Sequence, residues 1–196
     1  MDEWLFARAH LTTAPRRGSC GGMTREQLAK RIADLALLRG EFTLRSGRKS
    51  NYYLDKYRFE TQPDVLRALG KMLAERVTPD IDRLAGPELG AVALAASAAM
   101  ESGKPFVLVR NRKKDYGTSK QIEGVLNKGE RVLIIEDVLT TGGQVLESVA
   151  SLREMGAVVE RIVAIIDRME GARQNIEGAG LKFEALFTTR DLGVTE

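Results

Sequence analysis

Hydrophobic positions along this chain fall into two rhythms. Leu28, Ile32, Leu35 and Leu38 recur at helical spacing behind Thr24 and Gln27, a capping-box pair, so a helix opens near residue 24 with Gly40 as its stop. Val65, Leu66, Leu69, Met72 and Leu73 mark one face of a second helix over about 64–77. An alanine-rich helix follows the turn at 86–90 and runs to about 102. Another helix, with Val145, Leu146, Val149 and Leu152 inward, ends at Gly156, and a short one ends near Gly180. The second rhythm is short, mostly apolar strand-type stretches at 81–85, 106–110, 132–135, 161–166 and 183–187. Residues 41–60 mix aromatic and basic positions and read as irregular strand. Residues 111–121 are polar and glycine-containing and read as a mobile loop.

Strands and helices alternate, and the strands are largely apolar runs rather than apolar at every second position. That pattern predicts an α/β fold with a central parallel sheet covered by helices on both faces, and a small N-terminal cap. In such folds ligands bind at the carboxyl ends of the strands. Glu136, Asp137, Arg110, the 86–90 turn and Arg168 all fall at predicted strand ends.

The chain has 196 residues, 43% hydrophobic and 29% charged, which suits one domain with a substantial core. That domain is expected over 23–196. Residues 1–22 read as a disordered tail or upstream extension, with Met23 as the functional start. A net charge of +3 is too small to argue for nucleic acid, and no apolar run reads as a membrane span or signal core. A cytoplasmic protein is the expectation. Cys20 is the single cysteine and His10 the single histidine, both in the tail, so neither a thiol nucleophile nor a histidine base or zinc cluster is expected.

The most informative stretch is 132–145. Its apolar strand ends in two adjacent carboxylates, Glu136 and Asp137, then Val138 and Leu139. A Thr140-Thr141-Gly142-Gly143 turn follows and a helix begins at Gln144. Carboxylates accept hydrogen bonds from vicinal hydroxyls, and turn N–H groups with a helix N-terminus bind a phosphate dianion. The segment therefore suits a ribose phosphate. It lacks the Gly-Lys-Ser/Thr of a triphosphatase loop. Two further blocks carry chemistry. Residues 110–118 (Arg-Asn-Arg-Lys-Lys-Asp-Tyr-Gly-Thr) are either a solvated loop or a cationic lid that closes on a polyanion. Residues 42–55 are either an exposed hairpin with core aromatics or a cap over a planar base.

The 132–143 segment resembles the phosphoribosyl diphosphate (PRPP) signature of the type I phosphoribosyltransferases. Together with residues 42–53, 110–124 and the Asp167-Arg168 pair, it resembles the orotate phosphoribosyltransferase family over about 23–193. The resemblance implies transfer of a phosphoribosyl group from PRPP to orotate in pyrimidine biosynthesis, by a homodimer with shared active sites. Magnesium would be carried mainly by the diphosphate, with no certain protein ligand. It implies Lys114 and Asp137 as catalytic residues. Arg45, Arg110, Lys114, Tyr116, Glu136, Asp137, Val138, Leu139, Thr140, Thr141, Gly142, Gly143 and Gln144 would bind PRPP. Tyr53 or Leu54, Thr140 and Arg168 would bind orotate, with Arg168 facing its carboxylate. Asn111 and Gly90 stand where many members carry lysine, Arg45 replaces a frequent lysine, and Tyr116 stands where histidine is also common. Two alternatives stay open: a phosphoribosyltransferase for another base, and a non-catalytic PRPP-binding regulator.

Overall fold

A computed structural model describes residues 22–43, 47, 49–111 and 121–194. The chain runs α1 (Arg25–Ala36), β1 (Leu37–Thr43), β2 (Lys49–Leu54), α2 (Lys56–Glu60), α3 (Pro63–Ala74), β3 (Arg83–Pro87), α4 (Ala91–Ser102), β4 (Phe106–Val109), β5 (Ile122–Glu123), β6 (Arg131–Leu139), α5 (Gly143–Glu154), β7 (Val158–Asp167), α6 (Ala172–Gly178), β8 (Lys182–Thr188) and a 3₁₀ turn (Arg190–Leu192). A six-stranded sheet has the order β5-β4-β3-β6-β7-β8. Its ladders are parallel except for β5, which pairs antiparallel with β4 at the edge. The expected parallel sheet is therefore mixed at one edge.

Both faces of the sheet are covered. Leu133 and Ile135 of β6 join a core with Ile32, Phe59, Leu69 and Leu94, while Val132 and Ile134 join a second core with Val145, Val149 and Ile176. This double burial is why the strands carry no polar alternation. Close approach explains the alanines of α4. A Cβ on Gly86 of β3 would lie 2.8 Å from both Ala91 O and Ala95 Cβ, and one on Gly70 of α3 would lie 2.1 Å from Ser97 Oγ.

Three expectations need correction. The Thr24–Gln27 capping box forms, with bonds of 2.9 and 3.2 Å, but α1 ends at Ala36 rather than Gly40. Leu37 onward pairs with β2, and Gly40 lies where the register slips between Arg39 and Phe42. It is a bulge glycine, not a helix stop: hairpin pairing overrides the local helical pattern. Among the described residues of 41–60, the end of β1 and β2 are strand, as expected, but 56–60 form the short helix α2. The strand expected over 132–135 runs on to Leu139, because β7 pairs along its whole length.

Candidate active site

The chain leaves β3 for β4 on one side of the sheet and returns to β6 on the other, so the strand order reverses between β3 and β6. Their pairing ends at Ala85 and Ile134. Beyond it one edge of β6 is open, and a crevice forms there at the topological switch point, where open α/β sheets bind ligands. The crevice is a cavity of about 280 Å³ lined by Lys56, Pro87, Glu88 and every residue from Glu136 to Gln144.

The turn after β6 is held from behind. The N–H of Arg168 donates to the Leu139 carbonyl (2.9 Å), that of Ala172 to Thr140 (3.0 Å), and Asn175 Nδ2 to Thr141 (2.8 Å). Successive carbonyls thus point toward the β7–α6 connection. In trans peptides the following N–H groups, those of Thr140, Thr141 and Gly142, point the opposite way. Gly142 makes the turn possible: its φ of 79° is in the left-handed region, and a Cβ would crowd Ile176 at 3.2 Å. It leaves the N-terminus of the twelve-residue α5 with no side-chain cap, so the unpaired N–H groups and positive dipole end face the cavity.

The acidic pair lies deeper. Glu136 and Asp137 are 7% and 4% exposed, and a third carboxyl, Glu60 of α2, is 3% exposed. Lys56 Nζ reaches Asp137 Oδ2 at 2.5 Å, and Asp137 Oδ1 accepts from the N–H of Val138. Burial, reinforced by the charge of Asp137, pushes both Glu136 and Glu60 up to about 8. Burial works against the Lys56 charge too, but the Asp137 carboxylate outweighs it and holds the ammonium above its usual range. Glu60 Oε1 has no hydrogen-bond partner among the described residues.

A second cavity, about 390 Å³, opens beside the first at the end of β7, next to β6 in the sheet. Lys49, Ser50, Asn51 and Tyr52 line one wall, and Arg168, Met169, Glu170 and Arg190 the other. Arg168 Nη2 donates to the Tyr52 hydroxyl at 3.1 Å, stacks over its ring at 5.3 Å and pairs with Glu170 at 3.0 Å. Met169 has φ 61°, unusual for a residue with a side chain, and its N–H is held by Asp167 Oδ1 at 2.8 Å. A larger groove of about 730 Å³ along α1 and β1 gathers no comparable chemistry.

Comparison with known proteins fits this geometry. Residues 58–179 match the phosphoribosyl transferase domain. The orotate phosphoribosyltransferase of Methanocella arvoryzae is 48% identical over 153 residues, covering 78% of this chain and 87% of that protein. The Natronomonas pharaonis enzyme of the same name is 44% identical over 171 residues, covering 87% and 98%. The chain belongs to the orotate phosphoribosyltransferase family. Its fold matches Mycobacterium tuberculosis orotate phosphoribosyltransferase, solved in complex with PRPP, with a TM-score of 0.74 at 31% identity, covering 87% and 99%.

Within the family frame, the structure gathers Glu136, Asp137, Val138, Leu139, Thr140, Thr141, Gly142, Gly143 and Gln144 in one cavity and places Arg168 in its neighbour. Arg110 lines neither cavity and lies 3.9 Å from Glu123 of β5. The side chain of Leu54 is packed in the core, and Tyr53 is exposed and packs on Phe42 (5.7 Å between rings). The aromatic beside Arg168 is Tyr52. Arg45, Lys114 and Tyr116 lie outside the described residues. Asn111, one of the departures from family lysines, is a tie. Its N–H and Nδ2 donate to Glu88 Oε1 and O (3.0 and 3.2 Å), and its Oδ1 accepts from Gln144 (2.6 Å). A lysine lacks the acceptor for the last of these bonds.

Lys56, Glu60 and Tyr52 escaped the sequence reading. Lys56 and Glu60, four apart on a five-residue helix, look from sequence like any exposed ion pair.

Proposed function

We propose that this protein transfers the 5-phosphoribosyl group of PRPP to orotate, giving orotidine 5′-phosphate and pyrophosphate, a step of pyrimidine biosynthesis. The observation that carries the reading is the switch-point cavity, where paired carboxylates, outward N–H groups and an uncapped helix N-terminus line up beside a cation-lined second cavity. The backbone of Thr140 to Gln144 would hold the 5′-phosphate, and Glu136 and Asp137 the ribose hydroxyls. The second cavity, with Lys49 on one wall and Arg168 and Arg190 on the other, suits an acidic base; Arg168 would exchange Glu170 for the orotate carboxylate.

The reaction is displacement at the anomeric carbon through an oxocarbenium-like state. Ribose and phosphate are fixed in place, and cations around the diphosphate stabilise the leaving charge. Lys114, with Arg45, Arg110 and Tyr116, is proposed for that second task, the loop reaching the partner site of a homodimer. Glu136 and Asp137 are hard oxygen donors of the kind magnesium accepts, and magnesium is commonly held by one or two carboxylates plus substrate phosphates. When bound it would neutralise diphosphate charge.

Incubating the protein with PRPP, orotate and magnesium should give orotidine 5′-phosphate and pyrophosphate in equal amounts, and chelating the metal should stop it. Binding of PRPP without turnover would favour the regulator instead.

A further inference from the structure

We propose that Lys56 is a PRPP-binding residue that contacts the diphosphate end of the substrate. Gly90 abuts this lysine. Its φ and ψ, −62° and −42°, are ordinary right-handed values that any residue adopts, so its backbone does not require glycine. Its surroundings do: a Cβ there would lie 1.6 Å from Asp137 Oδ2 and 2.9 Å from Lys56 Nζ. The space a side chain at 90 would enter is filled by the Lys56–Asp137 pair. A cation delivered from α2 thus occupies the ground before α4.

The order of groups along the cavity fixes what this cation meets. Thr140 to Gln144 form the phosphate-binding end, Glu136 and Asp137 come next, and Lys56 stands beyond Asp137 against Gly90. PRPP has the same order: 5′-phosphate, ribose, 1-diphosphate. With the ends matched, the group that reaches Lys56 is the diphosphate. An ammonium has three donors, and the bond to Asp137 uses one. Lys56 keeps a third of its side-chain surface exposed, enough to turn toward a ligand without leaving Asp137. Asp137 holds the ammonium charged against burial.

This inference rests on the phosphoribosyl-transfer reading, and the test separates the two. Calorimetric affinities of PRPP, inorganic pyrophosphate and ribose 5-phosphate, each with magnesium, are measured for the wild type, Lys56→Gln and Lys56→Arg. Failure of the wild type to bind PRPP sinks the functional reading itself. If the wild type binds, Lys56→Gln should weaken PRPP and pyrophosphate about 10- to 100-fold, the scale of a charged hydrogen bond. Ribose 5-phosphate should change less than threefold (roughly 0.7 kcal/mol), and Lys56→Arg should recover most of the loss. Equal losses for PRPP and ribose 5-phosphate would mean that Lys56 only props up Asp137, and no loss for either would remove it from the site; both overturn the proposal. If Lys56→Gln does not fold, reductive methylation of the wild type decides. PRPP and pyrophosphate should shield Lys56 where ribose 5-phosphate does not, and equal modification with all three contradicts the assignment.

Discussion

Glu60 and Glu136 are carboxyls that ionise near 8 when folded and near 4.5 otherwise. Between those values the folded chain holds more protons than the unfolded one, so stability falls as pH rises from about 4.5 to about 8. Glu60→Gln removes one of these groups, and its melting temperature should depend less on pH than that of the wild type across this window. Melting curves between about pH 5 and pH 8 check this; an unchanged slope would show that Glu60 ionises freely. Arg168 offers a second test. Arg168→Ala should weaken orotate about 10- to 100-fold while PRPP affinity stays within a few-fold, by equilibrium binding of each. Equal losses would move Arg168 out of the acceptor site. The 136–144 residues were legible in the sequence because their chemistry is local: two carboxylates, a small-residue turn and a helix start. Tyr52 and Lys56 were not, because their partners Arg168 and Asp137 are 116 and 81 positions away.

Among the elements, the apolar start of β6 (Val132 to Ile135) and α5 follow from their own sequence, since a continuous apolar run and an inward stripe of Val145, Val149 and Leu152 leave few alternatives. The N-terminus of α1 was readable for the same reason; its end was not. Only β2, which lies beyond the turn, turns Leu37 to Thr43 into strand. The alanines of α4 gave a helix but not its cause, the close approach to Gly86 on one side and Gly70 on the other. That contact predicts that Gly86→Ala, placing a methyl 2.8 Å from a backbone oxygen, costs about 1–3 kcal/mol. The melting temperature should fall by several degrees. No fall would mean that β3 and α4 separate easily, and the crevice they help frame would be softer than described.

At the scale of the molecule, the order of the strands matters more than their number. Placing β4 and β6 on opposite sides of β3 opens the crevice and puts the turn after β6 and the α2 lysine around it, with Arg168, just past the end of β7, in the neighbouring cavity. The proposed sharing of sites between subunits belongs to this scale. Mixing an inactive Lys114→Ala chain with an inactive Asp137→Ala chain should restore part of the activity, because one hybrid site would hold both intact residues. Demonstrated heterodimers without recovery would confine each loop to its own site. The choice of acceptor is the sharpest test of phosphoribosyl transfer to orotate. Limiting PRPP with magnesium is offered orotate, uracil, adenine and hypoxanthine together, and the nucleotide products are identified. Orotidine 5′-phosphate should be the dominant product. A purine nucleotide as the main product, or no nucleotide at all, would contradict it.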